Sequence, residues 1–135
     1  YETLTNMITH ALRLTPGQDI KKEITLYVQK NSIAAGVILS CVGSLTRATL
    51  RLADERITKN YEEKFEIVSL TGTLSPDGCH LHMSIANKDG HVFGGHMKDN
   101  CLVYSTAEIV IGVCEHLAFT RVHDNDTGFK ELQIK

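Results

Sequence analysis

The sequence predicts an α+β domain built on one large, mainly antiparallel sheet, and three observations carry that prediction. Segments that alternate or run apolar with β-branched residues recur along the whole chain, turn signals separate them, and a single stretch shows the 3.6-residue period of an amphipathic helix. Counted together, strands outnumber helices about seven to one or two. At 135 residues the chain is read as one domain, 1–135 with its core at about 7–134, long enough to bury a core of its own.

Taken in order, Met7 to Leu14 (MITHALRL) alternates as a strand, with His10 and Leu12 on one side and Ala11 and Arg13 on the other. TPGQD breaks it. From Asp19 to Asn31 the apolar residues Ile20, Ile24, Tyr27 and Val28 fall on one helical face. Ala34 to Leu45 (AAGVILSCVGSL) is nearly continuous in apolar residues and reads as a central strand buried on both faces. Thr46 to Leu52 reads as a further strand, ADER as a turn, and Phe65 to Leu74 as a long strand. SPDG carries a type I turn signature and leads into CHLHMSIA. Beyond the hairpin that follows, Leu102 to Val113 is a mostly buried strand, Glu115 to His123 alternates, DNDTG turns, and Phe129 to Ile134 closes the series. One helix covers only part of one sheet face, so the apolar remainder predicts association into a homo-oligomer through the sheet.

Composition narrows the function classes. Hydrophobic residues at 42% and charged residues at 22% are ordinary for a globular protein and argue against disorder. A net charge of -2 with no Lys/Arg cluster gives no footprint for a phosphate backbone. No apolar run approaches the roughly 18–20 residues that span a bilayer, and no signal-peptide pattern opens the chain. The expectation is a soluble, cytoplasmic protein without membrane or nucleic-acid partners. Its four cysteines form no C-x-x-C pair, and Cys41 and Cys114 sit in apolar surroundings that predict buried, reduced thiols.

Chemistry concentrates in Cys79 to His96, CHLHMSIANKDGHVFGGH, which holds four of the seven histidines. Strand alternation puts His80 and His82 on one face and Cys79, Leu81, Met83 and Ile85 on the other, a core face. If Lys88-Asp89-Gly90 is a three-residue loop with Gly90 left-handed, Asn87 pairs with His91 and His82 pairs with His96, which brings His80, His82 and His96 to one face. A two-residue Asp89-Gly90 loop would turn His96 to the wrong side. The position of Gly90 favours the first register, and His91 is then solvent-exposed. Three neutral imidazoles with a vacant position suit a divalent transition metal, zinc first. A wet strand face rich in imidazole, with no ligand or with an anion, remains the alternative.

Two charged residues in apolar segments complete the candidates. Arg13 and Glu108 either lie on a solvated face, pair with one another or across a subunit boundary, or line a pocket. In the pocket role Arg13 holds an anionic ligand and Glu108 serves as a ligand or general base. Gly94-Gly95, without the rest of a phosphate loop, reads as a bulge or a close backbone approach.

The segments RLTPGQD, AAGVILSCVGSL, FEIVSLTGTLSPDG, HLHMSI, DGHVFGGH and STAEIVIG, in this order, resemble the plants-and-prokaryotes conserved domain, a family of unknown function, over about Met7 to Ile134. The resemblance implies a seven-stranded antiparallel sheet flanked by helices, assembled as a homotrimer. It also implies a metal-binding set at the histidines matching His80, His82 and His96, near the subunit interface. Plant relatives carry a DNA-binding AT-hook before the domain and lack these histidines; this sequence has no R-G-R-P hook and retains all three. Two functions follow as expectations, ahead of a third, a DNA-binding regulator, for which the sequence lacks the basic residues. One is a trimeric metal-binding domain with a small-molecule or hydrolytic role, and the other a non-enzymatic oligomerisation and protein-interaction module.

Overall fold

A computed structural model describes residues 6–135. The chain runs β1 (Met7–Leu14), α1 (Ile20–Lys30), β2 (Gly36–Arg51), β3 (Thr58–Tyr61) and β4 (Phe65–Ser75). It continues through β5 (Gly78–Ala86), β6 (Val92–Met97), β7 (Leu102–Cys114), β8 (Phe119–His123) and β9 (Lys130–Ile134). Seven strands form one antiparallel sheet in the order β1-β7-β2-β4-β5-β6, with β3 on β2, while β8 and β9 pair as a separate ribbon. The predicted class is therefore present: one antiparallel sheet and, among the described residues, one helix.

The helix forms where the apolar period lies. Asp19 caps its N-terminus by accepting a hydrogen bond from the Lys22 N–H, and Asn31 ends it. Ile20, Ile24 and Val28 are completely or almost completely buried against the inner sheet face, which presents Leu45, Leu74, Leu81 and Ile85 among others. Each such aliphatic side chain contributes roughly 1.5–3 kcal/mol relative to an exposed one, so this seam holds the two layers together. The helix is far too short to cross a membrane, and no described helix is long and apolar enough to do so.

Strand β2 departs from expectation. The two strands expected at Ala34–Leu45 and Thr46–Leu52 are one strand of 16 residues. Its irregularities against β7, between Ile38 and Ser40, Gly43 and Leu45, and Leu45 and Arg47, bend it without ending it. Because of that bend, Gly36–Leu45 pair with β4, whereas Ala48–Arg51 pair with β3 and Leu50 and Arg51 with β6. The neighbours β2, β4, β5 and β6 thus close into a small barrel-like ring, and β6 is no longer a free edge.

Burial also differs. The first half of β2 is not covered on both faces: Leu39 and Val42 are 48% and 57% exposed, and Val68 and Tyr104 on β4 and β7 are exposed too. Cys41 and Cys114 are half-buried instead of buried, and Cys101 is the buried thiol, its sulfur donating to the Thr49 carbonyl oxygen. Burial raises the Cys41 and Cys101 thiols to about 11, so neither is a ready thiolate. All four cysteines are unpaired. Strand β3 carries too little apolar alternation in TKNY to be seen in the sequence, and the expected strand from Glu115 begins only at Phe119.

Candidate metal centre

The hairpin adopts the three-residue loop. Gly90 has φ +79°, the Asn87 N–H donates to the His91 carbonyl at 3.0 Å, and the Gly90 N–H donates to the Asn87 carbonyl at 3.0 Å. The Asn87 side-chain oxygen accepts from the Asp89 and His91 N–H groups, each at 3.0 Å, which fixes the loop from within. The resulting register pairs Ala86 with Val92 and His82 with His96. His91 is exposed at the turn, as its position near the loop predicts.

Gly94 and Gly95 let β6 fit between β5 and β2. A Cβ on Gly94 would stand 2.1 Å from the Met83 carbonyl oxygen, and one on Gly95 would stand 2.6 Å from that of Arg51. Any side chain here pushes the backbones apart, so these glycines serve a close approach of strands and not a phosphate loop.

With that register, His80, His82 and His96 come together on the outer face, opposite the buried Leu81, Met83 and Ile85. Their nearest ring nitrogens all lie within 4.8 Å of one another, and the His80 and His82 Nε2 atoms are 3.1 Å apart. Zinc–imidazole bonds of about 2.0–2.1 Å at a tetrahedral angle place ligand nitrogens about 3.3–3.4 Å apart, so the set fits one ion after a small rotation of a ring. His80 and His82 are exposed and His96 is half-buried. The His96 Nδ1 atom is itself buried and has no hydrogen-bond partner.

The electrostatics favour the ligating, neutral form of His80 and His96. Burial, helped by the positive charge of Arg51 and by His80, pushes His96 down from 6.5 to about 4. His80 is lowered as well, by burial first and then by His82 and Arg121, with Glu131 opposing. A neutral imidazole is what a metal requires, and His96 is neutral throughout the physiological range.

Arg13 and Glu108 lie elsewhere. They face one another across the β1–β7 pairing, and Glu108 faces Val42 on β2, all on an exposed sheet surface and among the lining of neither cleft beside His96. Both are exposed; the Arg13 Nε donates to the Thr106 hydroxyl at 3.0 Å, and that hydroxyl lies 3.5 Å from the Glu108 carboxylate. The chain therefore gives them a solvated face and does not bring them into the histidine pocket. In their place stand Arg51 and Phe129, which line clefts of about 560 Å³ and about 280 Å³ on either side of His96. The alternation of Thr46 to Leu52 fixes the face on which Arg51 lies, but its partnership with His96 depends on ring closure between distant strands.

Fold and cluster together define a small α+β domain that carries a three-histidine face on a partly closed antiparallel sheet. The model of the Plants and Prokaryotes Conserved (PCC) domain matches residues 1–115, and the chain belongs to this family. It is 45% identical over 126 residues to the bifunctional protein GlmU of a Synechococcus strain, covering 93% of this chain and 20% of that protein. It is 32% identical over 116 residues to AT-hook motif nuclear-localized protein 2 of Arabidopsis thaliana, covering 79% of this chain and 34% of that protein. The chain thus spans a fifth to a third of the length of these curated relatives. Among solved structures, a hypothetical protein from Salmonella enterica superposes with a TM-score of 0.94 at 38% identity, over 100% of this chain and 98% of that one. A metal-containing protein from Archaeoglobus fulgidus superposes with a TM-score of 0.81 at 26% identity, over 98% and 99% of the two chains.

Proposed function

We propose that this chain is a metal-binding PCC domain, a homotrimer in which His80, His82 and His96 hold one divalent transition metal ion, zinc foremost, beside a small-molecule site. The observation that carries the reading is the convergence of three imidazoles within 4.8 Å, on a face where the core needs no histidine. The orphaned, buried His96 Nδ1 and the depressed basicity of His96 support it, because a purely solvated face would leave that ring wet. The description of the Archaeoglobus relative as metal-containing points the same way. Three imidazoles leave a coordination position, and a zinc ion so held lowers the pKa of a bound water toward 7, the chemistry a hydrolytic role would draw on. The chain's own part is to hold three neutral rings on rigid strands and to flank them with clefts for a ligand.

The trimer rests on the exposed Leu39, Val42, Val68 and Tyr104, apolar side chains that a monomer leaves in water. The same residues favour a second reading, an oligomerisation and protein-interaction module in which the histidines are incidental. The four unpaired cysteines suit a reducing, intracellular setting, and the acidic net charge gives DNA no surface. Elemental analysis of untagged protein separates the readings: the first expects one metal ion per chain, lost in His82→Ala while the assembly stays intact. Metal-free protein in the presence of micromolar zinc would leave only the second.

A further inference from the structure

Beside the histidines stands a cation, Arg51, that forms no ion pair among the described residues, although Glu55 lines one of the clefts it borders and Glu131 the other. Arg51 ends β2 and faces His96 directly across the β2–β6 pairing. Leu50 and Met97, the adjacent pair, are fully buried, so Arg51 and His96 both project to the outer face. His96 faces His82 and His82 faces Thr71, and Arg51 therefore begins a row of four residues crossing four adjacent strands. Among the described residues the ion pairs are Arg47 with Glu62 and Arg56 with Asp54, and Arg51 takes part in neither. Its guanidinium carbon lies 5.7 Å from the centre of the Phe129 ring, a contact that orients the guanidinium without quenching its charge. Both clefts beside His96 are lined by Arg51 and by Phe129.

A guanidinium next to metal-ligating imidazoles disfavours a cation at that site, so stability or metal affinity alone does not explain it. A planar, unpaired fork at the mouth of a cleft does suit a carboxylate or phosphate, which it grips with two parallel hydrogen bonds. We propose that Arg51 is the anion-recognising residue of this site and that the natural ligand is a small molecule carrying a carboxylate or phosphate group. Its anionic end lies on Arg51 and its other end reaches across β6 to the histidines. Strands stand about 4.7–4.9 Å apart, so Arg51 and His82, two strands away, are separated by roughly 10 Å, the span of a ligand of a few heavy atoms. The inference deepens the proposed metal site and rests on that reading only for the far end of the ligand.

The test titrates inorganic phosphate, and in a second arm acetate, into the full chain, both as purified and after zinc loading, by isothermal calorimetry. Metal content is measured on the same samples. Arg51→Gln is expected to weaken binding of the preferred anion about tenfold or more, the loss of a charge-assisted bidentate contact, with fold and metal content unchanged. Arg51→Lys should recover part of the affinity, and Lys22→Gln, on the exposed side of α1, should lose none. Phosphate and acetate both ignored by the wild-type protein, or bound equally well by Arg51→Gln, would overturn the proposal. Anion binding that depends on Arg51 in a protein that takes up no zinc would sustain it and remove the metal reading alone. Zinc-loaded protein indifferent to both anions would do the reverse.

Discussion

Lowering the pH of the metal-free protein should expose the cost of holding His96 neutral. His96 sits at about 4 in the folded chain against 6.5 for an ordinary histidine. Between these values the unfolded chain binds the proton and the folded chain does not, so folding stability falls as pH drops below about 6.5 and levels off near 4. The gap corresponds to about 3.4 kcal/mol at about 1.36 kcal/mol per pH unit. The ring is only half-buried, and solvent screening reduces this to roughly 1.5–2 kcal/mol. His80, lowered for the same first reason, acts with the same sign. Urea unfolding of chelator-treated wild type and His96→Gln at about pH 7 and about pH 4.5 reads the effect, because contributions from the carboxylates cancel in the comparison. Because pH 4.5 lies above the folded value, about two-thirds of this is realised, and the wild type should lose about 1–1.4 kcal/mol more than the variant over this interval. Equal losses, or a His96 ring that titrates near 6.5 by NMR, would refute the reasoning that burial and Arg51 act on this ring.

Three further perturbations reach other parts of the structure. Gly94→Ala places a Cβ 2.1 Å from the Met83 carbonyl oxygen; a loss of about 1–3 kcal/mol on denaturant unfolding is expected, together with lower metal affinity as β5 and β6 separate. Val42→Glu sets a carboxylate beside Glu108 on the exposed apolar surface and should yield monomers by light scattering with an unchanged circular dichroism spectrum. Ile24→Ala empties a fully buried site between helix and sheet and should cost about 2–5 kcal/mol without changing the metal stoichiometry of the folded protein.

What the sequence reveals of this fold follows from the range of the interactions involved. The β5–β6 register is legible because it is local: a single glycine at position 90 selects the loop, and the loop sets which residue faces His82. The helix is legible because Asp19 and the Ile20, Ile24, Val28 period are local as well. Ring closure is not, since the pairing of Arg51 with His96 joins strands separated by most of two hairpins, and no residue of either strand signals it alone. The same limit hides the continuity of β2, whose irregularities at Leu39, Ser44 and Thr46 carry no punctuation that distinguishes a bend from an end. For Arg13 and Glu108 the sequence leaves a solvated face, mutual pairing and a pocket role open, and the structure gives them the solvated face. Apolar neighbours in the chain imply burial only if both sheet faces are covered, and here the outer face of β1, β7 and β2 is open.

The central claim, one ion held by three imidazoles, is tested most directly by X-ray absorption at the zinc edge of untagged, zinc-loaded protein. The account predicts three imidazole nitrogens at about 2.0–2.1 Å plus one non-imidazole oxygen ligand, and a signal reduced to two imidazoles in His82→Ala. A sulfur shell at about 2.3 Å, or a spectrum that His82→Ala leaves unchanged, would contradict it.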